Sequence, residues 1–173
     1  MTVTIRPATP ADIPAITRIY AHAVERGTAS FELTPPDQAE MARRFDELTT
    51  NNFPYLAALV DGALAGYAYA GPYRARPAYR FTVENSIYVA PDRQRHGVGK
   101  ALLEALIDVC TERGFRLMVA VIGDSNQTAS IRLHEAAGFK HVGVLENIGY
   151  KFDRWLDSVL MQRALGPGAS TPP

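Results

Sequence analysis

The spacing of hydrophobic residues along the chain predicts helices separated by strands. In four segments apolar side chains recur every three or four residues, which is typical of amphipathic helices. Capping residues at the starts and glycine or asparagine near several of the ends support the same boundaries. The predicted helices run from Thr9 to Gly27, from Pro36 to about Leu48, from Gly99 to about Glu112, and from Thr128 to Ala137.

Shorter apolar or alternating runs predict seven strands. The clearest pair is a hairpin in which an Asp61-Gly62 turn joins two apolar runs. The predicted strands are Val3 to Arg6, Tyr55 to Val60, Leu64 to Ala70, Thr82 to Val89, Leu117 to Ile122, Val142 to Leu145 and Leu156 to Gln162. This order of elements predicts an α/β domain over residues 1–165, with a mixed sheet and helices on its faces, followed by a disordered tail at 166–173.

Composition narrows the range of partners and locations. Apolar residues make up 47% of the 173 residues and charged residues 21%, as in ordinary globular domains. The 18 basic residues balance the 18 acidic ones, so no net charge favours nucleic acid or an anionic membrane. Cys110 is the only cysteine, and the four histidines lack the spacing of a metal site, so we expect neither a disulfide nor a metal. These features, with no signal peptide or apolar span, predict a cytoplasmic location.

A glycine-rich segment between a predicted strand and a predicted helix carries the first functional signal. It reads Gln94-Arg95-His96-Gly97-Val98-Gly99. Glycines let the backbone approach a ligand closely, and the free N–H groups of a first helical turn attract anions. A pyrophosphate group is therefore the expected ligand, and a tight turn into the helix is the alternative role of the two glycines.

The spacing of this segment excludes two common nucleotide-binding motifs. A P-loop would need glycine in place of Gln94 and serine or threonine in place of Ala101, and a dinucleotide fingerprint would need a third glycine in place of Leu102. The segment instead resembles the GNAT superfamily pattern of Gln or Arg, two variable residues and Gly-x-Gly, which binds coenzyme A pyrophosphate through backbone amides. The second GNAT signature, an asparagine, a helix and a closing Gly-Phe, resembles the run from Asn126 to Phe139.

Longer stretches resemble the phosphinothricin and methionine sulfoximine acetyltransferases within that superfamily. The likeness covers roughly residues 3–165, and it is carried by Ala65 to Tyr79, by Thr82 to Val89 and by Gly149-Tyr150-Lys151 with Trp155. It implies the GNAT fold, a central, mixed but mostly antiparallel sheet with helices on both faces. It also implies acetyl-CoA as co-substrate, a small-molecule amine as acceptor and a homodimer. The run from Lys151 to Asp157 looks more like the methionine sulfoximine branch, so the branch stays open.

The resemblance assigns cofactor contacts to three parts of the chain. The main chain of one strand would bind pantetheine and meet the charge that develops on the thioester carbonyl, while its side chains pack. The asparagine of the second signature is one residue further from its serine than in the family, so Gln127 is an alternative to Asn126. The predicted cofactor residues are Ile87, Tyr88, Val89, Gln94, Arg95, His96, Gly97, Val98, Gly99, Lys100, Asn126 and Ser130.

Two residues are candidates for catalysis. The resemblance assigns Glu84 as the general base that takes a proton from the amine, directly or through water. Strand alternation puts Glu84, Ser86 and Tyr88 on one face, which fits either a polar site or a solvated surface. His134 lies where many GNAT enzymes carry the tyrosine that protonates the departing thiolate, and this subfamily has histidine there. The identity of the general acid therefore stays open, and a structural role for His134 is the alternative.

An amino-acid substrate carries a carboxylate, and a group of cations with aromatic neighbours precedes Glu84. The predicted substrate-binding residues are Phe31, Tyr73, Arg74, Arg76 and Tyr79. The leading hypothesis is acetyl transfer to a small amine in a ternary complex, in agreement with these residues. Two alternatives are acetylation of a protein or peptide, which needs an open groove, and a non-catalytic acyl-CoA-binding module, which would be indifferent to Glu84.

Overall fold

The computed structural model describes residues 2–173. Within these residues, seven strands and four α-helices follow one another in the predicted order. The strands are β1 (Val3–Pro7), β2 (Tyr55–Val60), β3 (Ala63–Pro72), β4 (Thr82–Val89), β5 (Leu117–Gly123), β6 (Lys140–Lys151) and β7 (Arg154–Ala164). The helices are α1 (Ile13–Arg26), α2 (Gln38–Thr50), α3 (Val98–Glu112) and α4 (Thr128–Ala136).

All seven strands form one sheet, in the order β1-β2-β3-β4-β5-β7-β6. Every neighbouring pair is antiparallel except β4 and β5, which are parallel. The connection between these two strands runs through α3, as a parallel crossover requires. The prediction of a mixed, mostly antiparallel sheet is therefore confirmed.

Helices cover both faces of the sheet, and strand alternation separates two apolar cores. On one face Leu102, Leu103 and Leu106 of α3 pack against alternate residues of the central strands, such as Ala68 and Met118. On the other face α1 and α2 pack against a group of buried tyrosines. These tyrosines are Tyr20, Tyr55 and Tyr67, with Tyr69 and Tyr88 beside them. Each face buries its own set because successive strand side chains point in opposite directions.

The last two strands are much longer than their sequence pattern predicts. The prediction gave Val142 to Leu145 and Leu156 to Gln162, whereas β6 has 12 residues and β7 has 11. Two register shifts in the β6–β7 pairing, at His141/Gly143 and at Leu145/Gly149, break the alternation that would have revealed the full length. The extra residues place the β6–β7 turn beside the loop between α1 and α2.

Residues 166–173 return to the body of the domain. Arg116 donates hydrogen bonds to the carbonyl oxygen of Gly168, to the hydroxyl of Thr171 and to the carbonyl oxygen of Pro172. One of the contacted residues, Gly168, is buried, and the disorder of this tail stays a prediction. None of the helices in residues 2–173 combines the length and the apolar character that a membrane span demands.

Candidate active site

The sheet opens at its centre, where β4 and β5 diverge. Their pairing is confined to Thr82–Glu84 against Leu117–Val119, although β4 continues to Val89 and β5 to Gly123. The side-chain amide of Asn85 still reaches the carbonyl oxygen of Val119, at 3.4 Å, and marks the fork. Beyond the fork, the edge of β4 facing β5 has main-chain groups available to a ligand. Ile87, Tyr88 and Val89, the predicted pantetheine contacts, lie along this edge.

The glycine-rich loop lies at the end of the same opening, between β4 and α3. Arg95 and Gly97 both have positive φ, +62° and +78°, and Gly97 is the N-cap of α3. A Cβ on Gly97 would meet no atom within 4 Å, so open space faces the backbone here. A 15-residue helix starting at an open, left-handed N-cap is suited to an anion such as pyrophosphate.

The side chains of this loop divide into exposed and buried ones. Gln94, Arg95, His96 and Lys100 are exposed, so the charged ones can meet phosphates. Val98 is buried in the α3 core, so only its main chain is available to a ligand. A Cβ on Gly99 would lie at ordinary contact distances from the side chains of Leu133 and Val89.

The loop from β5 to α4 provides the other side of the opening. The side chain of Gln127 donates to the hydroxyl of Thr28 at 3.0 Å, whereas Asn126 is exposed. The geometry therefore favours Asn126 over Gln127 as the residue that can turn towards a coenzyme. Ser130 lies in the first turn of α4 and is half-buried, and its carbonyl oxygen accepts a hydrogen bond from His134.

Glu84 is the last paired residue of β4 before the fork. It lies on the face of the sheet covered by α1 and α2, opposite Gly71 of β3, and it is half-buried. Burial raises the pKa of its carboxyl above the ordinary value, and the nearby guanidinium of Arg74 opposes part of that rise. A carboxylate with a raised pKa is a stronger proton acceptor than an exposed one, as a general base requires.

His134 lies on the other face of β4 and does not approach Glu84. Its Nδ1 is 2.8 Å from the carbonyl oxygen of Ser130, its Nε2 is 3.1 Å from Oδ1 of Asn85, and its ring packs edge-on against Phe139. Burial lowers the pKa of the imidazole, which favours the neutral form near neutral pH. The two predicted catalytic residues are thus separated by the strand, one on each side of the opening.

The predicted substrate residues form two groups rather than one. Arg74, Arg76 and Tyr79 line a cleft of about 400 Å³ between the end of β3 and α2, and Arg80, which follows Tyr79, joins them. The ring of Tyr73 packs edge-on against that of Tyr79, 5.7 Å between centroids. Phe31 does not line this cleft.

Phe31 packs on the far side of the opening, against two glycines. A Cβ on Gly123, at the end of β5, would lie 2.8 Å from its ring, and one on Gly149 of β6 would lie 2.5 Å from it. The ring is therefore held in a slot that only glycine leaves open. One third of Phe31 is still exposed, at 36%, so it can contact a ligand as well.

Sequence reasoning missed several residues around the site. A cavity of about 220 Å³ lies beside Glu84's face of the sheet, lined by Tyr20, Tyr55, Tyr67 and Tyr69 together with Arg44. Within residues 2–173, the hydroxyl of Tyr67 is buried without a hydrogen-bond partner. Alternation of tyrosines at positions 67 and 69 is the signal that could have revealed this face.

The raised pKa of Glu84 implies that this residue lowers the stability of the folded protein at neutral pH. Because the folded state favours the protonated carboxyl, the ionised form costs stability at every pH above the ordinary pKa of 4.5, and most above the raised value. We therefore expect Glu84→Gln to raise Tm at pH 7, with the difference from wild type disappearing as the pH falls below 4.5. Thermal melts from pH 4 to 8, with exposed Glu112→Gln as control, measure it; an equal gap at all pH values would contradict it.

The chain is similar in sequence to known acetyltransferases. The family model of the acetyltransferase (GNAT) domain matches residues 5–160. A phosphinothricin N-acetyltransferase from Alcaligenes faecalis is 52% identical over 170 residues, covering 98% of this chain and 86% of that relative. An L-methionine sulfoximine/L-methionine sulfone acetyltransferase from Pseudomonas paraeruginosa is 41% identical over 173 residues, covering 99% and 100%.

A crystal structure also matches the fold closely. A GNAT superfamily phosphinothricin acetyltransferase from Sinorhizobium meliloti, in complex with AcCoA, superposes with a TM-score of 0.97 at 50% identity. The match covers 100% of this chain and 94% of that one. The sheet that opens between β4 and β5, the glycine-rich loop before α3 and these matches together establish that the chain belongs to the GNAT acetyltransferase family.

Proposed function

We propose that the chain transfers an acetyl group from acetyl-CoA to the primary amine of a small amino-acid-like substrate of the phosphinothricin, methionine sulfoximine or methionine sulfone type. The observation that carries the proposal is the half-buried carboxyl of Glu84 at the fork of β4 and β5, beside a cluster of arginines. The names of the phosphinothricin and methionine sulfoximine relatives support the substrate class. Resistance to such compounds would follow from this activity.

The residues of the opening fit acetyl-CoA. Pyrophosphate matches the first turn of α3, where Gly97 leaves open space in front of the backbone, and the exposed cations Arg95 and Lys100 complement the phosphates. The unpaired edge of β4 offers main-chain donors and acceptors over Ile87 to Val89. When bound, acetyl-CoA supplies a thioester carbonyl as the acyl donor.

Glu84 removes the proton that prevents the amine from attacking. An ammonium has no lone pair, so the amine must lose a proton before its nitrogen bonds to the acyl carbon and the bond to sulfur breaks. The carboxylate of Glu84 accepts that proton, directly or through water. On the opposite side of β4, His134 is the candidate that returns a proton to the thiolate. In the neutral ring the Ser130 carbonyl, which can only accept, places the hydrogen on Nδ1. Nε2, which faces Asn85, carries a hydrogen to donate only when the ring is protonated, so the proton returns to the thiolate from the imidazolium form.

The arginine cluster provides the counter-charge for the substrate carboxylate. Arg74 and Arg76 line the 400 Å³ cleft, and the charge of Arg74 opposes part of the rise in the pKa of Glu84. A guanidinium can bind a carboxylate through two parallel hydrogen bonds, which fixes the orientation of the amine as well as its position.

Thiol release from acetyl-CoA across a panel of acceptors tests the proposal. The panel contains methionine sulfoximine, methionine sulfone, phosphinothricin, ordinary amino acids and a basic peptide. Turnover on the small amino-acid analogues is the expected result. Turnover on the peptide alone would replace the proposal with protein acetylation, and acetyl-CoA binding without turnover on any amine would favour a binding module.

We also propose that the protein is a cytoplasmic homodimer, as the family resemblance implies. The surface that fits a second copy is the outer part of the β6–β7 hairpin, where large apolar side chains are exposed. They are Val142, Val144, Leu145, Ile148, Tyr150, Phe152 and Trp155. Patches of this kind on a single chain are typical of protein interfaces. A buried free thiol at Cys110 agrees with a reducing compartment.

A charge placed in this hairpin surface should separate the dimer. Ile148 is 54% exposed, and Ile148→Lys would put an ammonium into an apolar interface, which costs several kcal/mol when the charge is unpaired. We expect light scattering coupled to size exclusion to give a dimer for wild type and a monomer for Ile148→Lys. Glu112→Lys, exposed at the end of α3 and outside the hairpin, is the control. A wild-type monomer at micromolar concentration would contradict the proposal.

A further inference from the structure

Lys151, the last residue of β6, is a buried lysine. Its side chain is 4% exposed, and its Nζ donates to the carbonyl oxygen of Gly27 at 2.9 Å and to that of Ser30 at 2.8 Å. Within residues 2–173, no carboxylate lies within 4.0 Å of this ammonium, so it is held by main-chain oxygens and by the face of the Phe152 ring, 5.0 Å away. Burial lowers the pKa of the Lys151 amine, which Glu32 partly offsets.

A lysine in this position is costly for the fold, which points to a role for its contacts. Removing an ammonium from water without a counter-ion costs free energy that two neutral acceptors only partly restore. The effect of these contacts is to fix the conformation of the main chain. Two carbonyl oxygens three residues apart converge on one nitrogen, which fixes the curvature of the loop between α1 and α2 over residues 27–30.

The residue that follows this fixed segment is Phe31. Gly149, two positions before Lys151 and therefore on the same side of β6, forms part of the slot that holds the Phe31 ring. The other side of the slot is Gly123, at the end of β5, the strand that borders the opening in the sheet. One strand thus supplies both the lysine that holds the loop and the glycine that receives its aromatic side chain.

We propose that Lys151 is a positioning residue for the acceptor site: it holds the 27–30 loop so that Phe31 forms the wall of the site on the β5 side. This inference rests on the proposed function, because it takes Phe31 as a contact of the amine substrate. Lys151 itself does not touch the reacting atoms.

The loop has a second, independent anchor, so loss of Lys151 should move Phe31 without unfolding the domain. The hydroxyl of Thr28 donates to Asp124 at 3.2 Å and accepts from Gln127 at 3.0 Å. Arg154 in turn donates to Asp124 at 2.6 Å. These bonds tie the loop to the start of α4, on the coenzyme side of the opening, and they do not involve Lys151.

Replacement of Lys151 by methionine removes the donor and keeps the length of the side chain. We expect Lys151→Met to raise KM for the amine substrate by about 10-fold, as the loss of a charge-assisted hydrogen bond allows, while KM for acetyl-CoA stays within about 2-fold. Lys140→Met, on the same strand but exposed, should change neither constant. Equal rises in both KM values, or no rise for the amine, would overturn the proposal.

A double-mutant cycle with Phe31→Ala shows whether Lys151 acts through Phe31. If it does, Lys151→Met should change KM for the amine by less than about 2-fold in the Phe31→Ala background, because the wall is already gone. If the double variant instead raises KM for the amine by the product of the two single effects, Lys151 acts elsewhere and the inference is overturned. If Lys151→Met does not fold, the shorter and uncharged Lys151→Gln carries the same cycle.

Hydrogen exchange separates failure of this inference from failure of the proposed function. We expect the amides of residues 27–32 to exchange faster in Lys151→Met than in wild type, with the exchange of α3 unchanged. If wild type acetylates none of the amines tested, the proposed function fails and this comparison still judges the anchor. Unchanged exchange at residues 27–32 would overturn the anchor, whatever the enzyme acetylates.

Discussion

Glu84→Gln should lower kcat for acetylation of the amine by about 10²- to 10⁴-fold, the range that a general base contributes. The substitution keeps the shape of the side chain and its place on β4 but removes the group that accepts the proton. Because the proposed coenzyme contacts lie beyond the fork and at the starts of α3 and α4, the KM for acetyl-CoA should stay close to that of wild type. Steady-state kinetics with methionine sulfone, and calorimetric titration of acetyl-CoA, measure both quantities.

Glu112→Gln is the matched control, because this glutamate is exposed at the end of α3. Its kinetics should equal those of wild type. A fall of less than about 10-fold in Glu84→Gln would contradict the assignment, since it would leave proton removal to another group or to solvent. A wild-type rate that does not fall as the pH drops through the raised pKa of Glu84 would contradict it as well.

The sequence predicted the central strands well because their side chains alternate strictly. Glu84, Ser86 and Tyr88 do lie on the face covered by α1 and α2, and Val83 and Asn85 lie on the other. The inward face of α3 was equally clear, since Leu103, Leu106 and Cys110 recur at helical spacing and are all buried. Burial on one side of a regular element leaves a period that the sequence retains.

The β6–β7 hairpin was not predictable in the same way. The apolar residues of β6 are exposed, two register shifts interrupt its period, and Asn147 has a positive φ of 54° in the middle of the strand. The burial of Lys151 is also invisible in the sequence, because lysine is rarely buried and its partners, Gly27 and Ser30, are main-chain oxygens more than 120 positions away. Such contacts depend on where the hairpin lies in three dimensions.

The arrangement of the site residues lies between these two cases. Motif resemblance gave the individual residues, but it gave no sign that His134 and Glu84 are on opposite faces of β4, or that Phe31 is apart from the arginine cleft. Those relations follow from the packing of α4 and of the 27–30 loop against the sheet. Spacing within one element carries no information about the neighbour that covers it.

Gly123→Ala should show how tightly the acceptor side of the opening is packed. A Cβ at this position would collide with the carbonyl oxygen of Thr28 and would lie 2.8 Å from the Phe31 ring. Since a backbone oxygen cannot move aside like a flexible side chain, the loop itself must shift. We expect a loss of about 1–3 kcal/mol in the free energy of unfolding, the usual cost of overpacking, and a Tm lower by about 2–4 °C for each kcal/mol.

The activity of Gly123→Ala distinguishes a local shift from a general loss of stability. Because Phe31 moves with the loop, KM for the amine should rise while KM for acetyl-CoA changes little. Gly143→Ala is the control, since a Cβ on Gly143 of β6 meets no atom within 4 Å and should leave Tm and both KM values unchanged. Thermal melts and initial-rate kinetics on both variants measure this. A Gly123→Ala protein as stable and as active as Gly143→Ala would mean that the 27–30 loop does not press against the end of β5 in solution, and Phe31 would then lose its place as a wall of the acceptor site.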